Sequence, residues 1–100
     1  MKAEVGSGKR RPRPPALVNS AGSLIATTQE PTDPAPLVRL YYREGLAYPW
    51  GRLAEDNYYL FYDFGPIFGL PAGLYYATEV AGGGAFAGES EASNVFAVTP

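Results

Sequence analysis

Proline and glycine recur so often in this sequence that it fits short strands joined by tight turns better than helices. The chain of 100 residues holds 10 Pro and 12 Gly, together with 8 Tyr and 5 Phe. Gly and Pro form turns, and aromatic residues favour strands. Strand-like segments lie at residues 16–18, 23–28, 37–43, 58–64, 74–80 and 93–99. Residues 52–56 fit either a short helical turn or a weak edge strand.

Short segments of this kind, separated by turn residues, predict an all-β fold: an immunoglobulin-like antiparallel β-sandwich of about seven strands. The length of the chain matches one domain and leaves no room for a second core. We therefore divide the chain in two. Residues 1–15 form a basic, Pro/Gly-rich extended arm, and residues 16–100 form the sandwich domain.

Charge is distributed unevenly between these two parts. Residues 1–13 hold five cations and one acid, and the rest of the chain holds three cations and nine acids, for a formal net charge of −2. The cluster of Lys9, Arg10, Arg11 and Arg13 fits a proline-rich ligand, a phosphate-binding arm for nucleic acid, an arm that docks on an acidic protein surface, or a solubilising tail. We favour protein docking over nucleic acid, because the arm lacks interleaved aromatic residues and the body is acidic.

Catalytic groups are scarce. The chain has no His and no Cys, so the common general bases and the thiol nucleophile are absent. Glu55, Asp56 and Asp63 are one set of paired carboxylates, and Glu89 and Glu91 are another, but adjacent acids of this kind are typical of solvated turns. Asp56, Asn57 and Asp63 offer the hard oxygen ligands that calcium prefers, but they lack the Asp-x-Asp-x-Asp spacing of a calcium loop. We predict no catalytic residue, no metal site and no cofactor.

Exposed aromatic residues form a second candidate contact surface. Tyr-Tyr pairs occur at residues 41–42, 58–59 and 75–76, and in a strand one member of each pair points inward and the other outward. An outward Tyr offers a large, rigid contact area at low entropy cost. Trp50, flanked by Tyr48 and Arg52, fits a stacking platform for a ligand, or a Trp packed into a turn. Tyr48, Trp50 and Tyr75 are therefore the candidate surface contacts.

Residues 66–100 carry the most specific pattern in the chain. A Pro-Ala-Gly turn follows Leu70, Tyr76 lies six residues after Leu70, and a Gly-x-Ser-x-x-Ser segment from Gly88 leads to a terminal Thr-Pro. This pattern resembles the E–F corner, F strand and G strand of fibronectin type III domains. The resemblance implies a sandwich in which Tyr76 is the corner tyrosine, with a buried ring and a hydroxyl bonded to upstream backbone. Tyr75 then lies on the opposite face of the strand.

The predicted function follows from these features together. The basic start of the chain lacks the apolar run of a secretory signal, and no segment is long enough to span a membrane. A single immunoglobulin-like domain with an anchoring arm and no Cys predicts a non-enzymatic structural protein of a virion: a bacteriophage capsid decoration, minor capsid or tail accessory protein. Its partners would be capsid or tail subunits, or further copies of the chain.

Two alternative functions stay open. A freestanding carbohydrate- or peptide-binding module would use Trp50 as its stacking platform. A nucleic-acid-associated protein would use the basic arm, and its binding would weaken with salt. In either case the protein would be located in the cytoplasm, or outside the cell without a classical signal, instead of in the virion.

Overall fold

The computed structural model describes residues 9–29 and 34–100, which form two antiparallel sheets and no α-helix. The strands are β1 (Ala16–Ser20), β2 (Ser23–Thr27), β3 (Leu37–Arg43), β4 (Gly51–Asn57), β5 (Phe61–Pro66), β6 (Gly73–Val80) and β7 (Phe96–Val98), with a short 3-10 turn at Ile67–Gly69. The prediction of an all-β fold is confirmed. Residues 1–8 of the predicted arm lie outside the described residues.

The strands are divided between a three-stranded and a four-stranded sheet. The first has the order β1-β2-β5 and the second the order β4-β3-β6-β7. Neighbouring strands are antiparallel throughout. A two-residue turn links β1 to β2, and both its residues, Ala21 and Gly22, have positive φ values of 51° and 88°. Such turns match the twist of the strands that they join, which fixes the register of this hairpin.

The core lies between the two sheets and follows the two-residue period of the strands. Alternate residues of a strand point to the same face, so the apolar residues that point toward the other sheet are buried. The buried hydrophobic residues are Leu17, Leu24, Ala26, Val38, Leu40, Tyr58, Tyr75, Ala77 and Val98. This arrangement is compatible with a β-sandwich.

The inward face of β6 is the opposite of the predicted one. Tyr75 is fully buried, and its hydroxyl donates a hydrogen bond of 2.6 Å to the carbonyl oxygen of Pro71. Tyr76 lies on the other face, stacked on Tyr41 with ring centroids 4.7 Å apart. The predictions that Tyr76 is the buried tyrosine with a hydroxyl bonded to upstream backbone and that Tyr75 is a surface contact are therefore wrong. A one-residue difference in turn length moves every side chain of a strand to the other face.

Gly73 explains why the turn before β6 has this length. Its φ is 151°, and a Cβ atom at this position would lie 2.5 Å from Cε1 of Tyr42 and 2.6 Å from the carbonyl oxygen of Arg43. Only glycine allows β3 and β6 to approach this closely. The strand therefore begins at Gly73, and the next inward position falls on Tyr75.

Of the seven predicted segments only 37–43 has the predicted bounds, and three of the other six differ most in kind or in starting point. Residues 52–56 form the edge strand β4 and not a helical turn, and β4 extends over Gly51–Asn57. The segment predicted at 58–64 begins its strand only at Phe61. The segment predicted at 93–99 is a strand only over Phe96–Val98. In the stretch before this strand, the side chains of Ser90 and Ser93 bond to β6. Their hydroxyls accept hydrogen bonds from backbone N–H groups of β6 at 2.9 and 2.8 Å.

Candidate protein-binding surface

Three consecutive large apolar side chains are exposed where the chain passes from β4 to β5. Tyr59, Leu60 and Phe61, here called the apolar tip, are 62%, 54% and 58% exposed. In a regular strand every second residue would turn inward, so three in a row cannot all be exposed on an extended segment. The backbone must therefore depart from strand geometry here.

A tight three-residue turn produces this departure. The N–H of Phe61 donates a hydrogen bond of 2.8 Å to the carbonyl oxygen of Tyr59, and Leu60 between them has a φ of 70°. A positive φ is rare for a residue with a branched apolar side chain, and a γ-turn of this hand is strained. Strain of this size, about 1–3 kcal/mol, clusters at binding and catalytic sites.

Hydrogen bonds on both sides of the turn hold the apolar tip in place. The carbonyl oxygen of Leu60 accepts a hydrogen bond of 2.9 Å from the N–H of Thr28, and the N–H of Tyr58 donates one of 3.0 Å to Pro36. The buried hydroxyls of Tyr58 and Thr28 donate to the same oxygen of Glu79, at 2.6 and 2.7 Å. Burial and the bond to Glu79 raise the pKa of Tyr58. The apolar tip is thus displayed from a rigid base.

The apolar tip continues onto the outer face of the three-stranded sheet. Phe61 pairs with Thr27 in β2, and the next outward row of this face contains Val18, Ile25 and Asp63. Val18 is 40% exposed. The surface next to the tip is therefore apolar, and Asp63 is the acidic group in that row.

The outer face of the four-stranded sheet is polar instead of apolar, and its charged groups bind one another. Glu89 accepts hydrogen bonds from the hydroxyls of Tyr41 and Thr78, both at 2.5 Å, and from Arg39 at 2.9 Å. Arg39 also bonds Glu55 at 2.7 Å. Burial acts to raise the pKa of Glu89, but these bonds and the charge of Arg39 outweigh it and lower the pKa below its ordinary value. The charged groups of this network are thus bonded to one another.

The predicted aromatic contacts are not brought together into one surface. Tyr48 is exposed in the loop between β3 and β4. Trp50 is half-buried, with its ring edge-on to Tyr76 at 4.6 Å, and the Arg43 guanidinium lies over the Trp50 ring at 4.5 Å. Arg43 therefore covers one face of Trp50, and Tyr75 is in the core. This packing favours the hypothesis that Trp50 is packed into a turn over the hypothesis that it is a stacking platform for a ligand.

The described part of the predicted arm lies along its own domain. Backbone hydrogen bonds join Arg10 to Ala85 and Ala87, and the Arg10 guanidinium lies 4.9 Å from the centroid of the Phe86 ring. Arg11 forms a salt bridge of 3.0 Å with Glu91. Lys9 and Arg13 are exposed beside them. Arg10 and Arg11, two of the predicted anchoring cations, are thus held against the domain by the contacts described here.

Comparison of this chain with protein-family models, with curated proteins and with solved structures finds no match. Among residues 9–29 and 34–100, no group of three or more His, Cys, Asp or Glu side chains is placed to hold a metal ion. The described residues also contain no helix that is long and apolar enough to cross a bilayer. The arrangement of side chains is therefore the basis for inferring function.

One feature of the sequence indicates the apolar tip, although the strand prediction did not use it. Residues 58–62 form an unbroken aromatic and aliphatic run, Tyr-Tyr-Leu-Phe-Tyr. A strand on the surface of a two-sheet domain alternates apolar and polar residues, so such a run either is buried on both faces or leaves apolar groups exposed. A domain of this size has no layer to cover a second face.

Proposed function

We propose that this chain is a non-enzymatic protein-binding module that docks on its partner through the apolar tip. The observation that carries the proposal is the display of three large apolar side chains from a strained, anchored turn. From the typical area of an aromatic side chain, the tip exposes on the order of 350 Å². Apolar patches of about 300–600 Å² on the surface of a protein are often functional sites.

For the fold, we propose an immunoglobulin-like sandwich of the fibronectin type III kind. The bond from Tyr75 to Pro71, four residues upstream, supports this identity, because a corner tyrosine that bonds upstream backbone is typical of immunoglobulin-like domains. The pairing of β4 with β3 supports a departure from the constant immunoglobulin type, in which the fourth strand joins the other sheet. Ser90 and Ser93, the two serines of the Gly-x-Ser-x-x-Ser pattern that resembles the family, both bond to β6 through their hydroxyls.

The same geometry ranks the competing functions. A sugar-stacking platform at Trp50 is less favoured, because Arg43 covers one face of its ring. Nucleic acid binding by the arm is less favoured, because Arg11 is paired with Glu91 and Arg10 stacks on Phe86. The virion as the site of action, with capsid or tail subunits as partners, stays a prediction from the sequence.

Site-specific photo-crosslinking tests the proposed function. A benzophenone amino acid is placed at Leu60 or, as a matched control, at Leu53, which lies in β4 and is 51% exposed. The labelled chain is irradiated alone and in a lysate of its source cells. We expect protein adducts from position 60 and few from position 53. Equal yields at the two positions, or no adduct at position 60, would contradict the proposal.

A further inference from the structure

Arg43 is a cation that the fold holds in place without a hydrogen-bond partner for its enclosed nitrogen. Its guanidinium lies over the ring of Trp50, 4.5 Å from the ring centroid. The Nε atom is enclosed by protein atoms and makes no hydrogen bond. Among residues 9–29 and 34–100, no carboxylate forms a salt bridge with Arg43. Enclosed polar atoms of folded proteins are nearly always bonded, so this exception needs an explanation.

The position of Arg43 places it on the outer face of the four-stranded sheet. Alternate residues of a strand share a face, so Arg43 points the same way as Arg39 in β3. Val38 and Leu40, between and beside them, are buried on the other face. The apolar tip continues instead into β5, a strand of the three-stranded sheet. A ligand that contacts Arg43 therefore binds a different sheet from the one that displays the tip.

The charged groups of this outer face do not balance. Arg39 forms salt bridges with Glu55 and Glu89. Arg52 forms one with Glu55. Together with Arg43, these groups are three arginines and two carboxylates, so one positive charge is in excess. The excess stands out on a chain whose formal net charge is −2, and a ligand with one negative charge would compensate it.

We propose that Arg43, held on the ring of Trp50, is a binding site for a carboxylate group. A guanidinium presents pairs of N–H groups in a planar fork that matches the two oxygens of a carboxylate. Nε is enclosed, so a ligand reaches the guanidinium at its terminal nitrogens. Contact with the indole ring restricts the arginine side chain in advance, and less conformational entropy is lost when the ligand binds.

The surroundings of Arg43 favour a carboxylate over a phosphate. A phosphate monoester carries a charge of about −1.5 to −2 at neutral pH, which exceeds the single positive charge in excess here. Leu74 pairs with Arg43 in the sheet, and Ala97 pairs with Leu74. The group attached to the carboxylate therefore meets an apolar surface. The carboxylate belongs either to a small organic acid or to a protein, as a side chain or a C-terminus.

Nuclear magnetic resonance of the full chain tests this proposal. The reporters are the side-chain Nε–H signal of Arg43 and the indole N–H signal of Trp50. Sodium acetate is titrated at neutral pH against sodium chloride at constant ionic strength, and inorganic phosphate is titrated in the same way. Arg43→Lys keeps the charge and removes the fork. Arg52→Lys is the matched control, because Arg52 lies on the same face and is already paired with Glu55.

We expect acetate to shift both reporter signals along a saturating curve, with a Kd on the order of 10 mM, which one charge-assisted contact supports. Arg43→Lys should weaken the binding of acetate by about tenfold or more, as followed by the Trp50 signal. Arg52→Lys should bind acetate as the wild type does. Phosphate should bind more weakly than acetate.

Three short peptides with acetylated N-termini distinguish the sources of the carboxylate. One has a free C-terminus and no acidic side chain, the second has an amidated C-terminus and one aspartate, and the third has an amidated C-terminus and no acid. Binding of the first or the second about threefold more tightly than acetate identifies a protein C-terminus or an acidic side chain. Weaker binding of both than of acetate identifies a small organic acid.

Four results would overturn the proposal: a linear shift that chloride reproduces, an equal Kd for the wild type and Arg43→Lys, tighter binding of phosphate than of acetate, or binding of the peptide that has no carboxylate. The wild-type titrations decide the matter even if Arg43→Lys does not fold. Failure leaves the proposed function intact, because crosslinking from position 60 tests the apolar tip and not this face.

Discussion

Replacing Leu60 by alanine and by glycine measures the strain at the apolar tip. Leu60 has a φ of 70°, where a Cβ atom meets the neighbouring carbonyl oxygen. Alanine keeps the Cβ and so keeps the strain, whereas glycine removes it. Both substitutions delete the leucine side chain, so its lost packing cancels when the two variants are compared with each other.

The expected difference follows from two opposing effects. A residue with a Cβ is destabilised by about 1–2 kcal/mol in the left-handed conformation. Glycine loses more backbone entropy on folding and is less favourable than alanine by about 0.5–1 kcal/mol in a regular element. Leu60→Gly should therefore be more stable than Leu60→Ala by about 0.5–1 kcal/mol. At Leu53, which has similar exposure in β4, the order should reverse by about the same amount.

Urea unfolding followed by the fluorescence of Trp50 provides the assay. Trp50 is the only tryptophan of the chain and packs on Tyr76 and Arg43, so its emission reports on the folded state. With a urea dependence of about 1–2 kcal/mol per molar, the midpoint of Leu60→Gly should lie about 0.3–1 M above that of Leu60→Ala. A midpoint for Leu60→Ala about 0.3–1 M above that of Leu60→Gly, the order expected at Leu53, would show that the turn is unstrained and refute this part of the argument. Equal midpoints would mean that the strain only offsets the entropy cost of glycine, and would refute the expected magnitude.

Three further predictions concern other parts of the fold. Tyr75→Phe should destabilise the fold by about 1–2 kcal/mol in urea unfolding, because it leaves the Pro71 carbonyl unpaired. Tyr76→Phe should change stability by less than about 0.5 kcal/mol. The reverse order would mean that Tyr76 is the buried tyrosine, as the sequence predicted. Because the folded pKa of Glu89 is lowered, its contribution to stability is present above the ordinary value of 4.5 and is lost as pH falls through the folded pKa. Glu89→Gln should therefore lose less stability than the wild type on acidification from pH 7, and an unchanged pH profile would exclude this role. Gly82→Ala should cost about 1–3 kcal/mol by thermal unfolding, because its Cβ would meet backbone oxygens at 2.4 and 2.5 Å, whereas Gly45→Ala meets nothing within 4 Å and should be tolerated.

Turn residues made the all-β class and most strands predictable, but they did not set the register of β6. Tyr75 and Tyr76 are chemically equivalent candidates for the buried position, and only the point at which the strand begins decides between them. That point depends on the contact of Gly73 with Tyr42, which lies 31 residues earlier in the chain. A contact between distant segments leaves no trace in the local pattern, so the sequence alone could not select the buried tyrosine.

The apolar tip was missed for a related reason. Alternation correctly predicts that one of Tyr58 and Tyr59 points inward and the other outward, and Tyr58 is the buried one. The same rule would continue the strand through Leu60, yet the backbone there takes a positive φ because the N–H of Thr28 binds the carbonyl oxygen of Leu60. Hydrogen bonding between two loops overrides the local preference of leucine.

Hydrogen bonds at the edges of the two sheets link them to each other within the chain. Edge strands with free backbone groups invite lateral pairing unless side chains or loops block them. On one side, the Asn94 amide bonds both the N–H and the carbonyl oxygen of Leu17 in β1, at 2.9 and 3.0 Å. On the other, the Tyr62 hydroxyl of β5 donates a bond of 2.9 Å to Asp56 of β4 and ties the two edge strands together. Each of these bonds therefore joins an edge strand of the three-stranded sheet to the part of the chain beside the four-stranded sheet, and the two sheets are held together at both sides of the core.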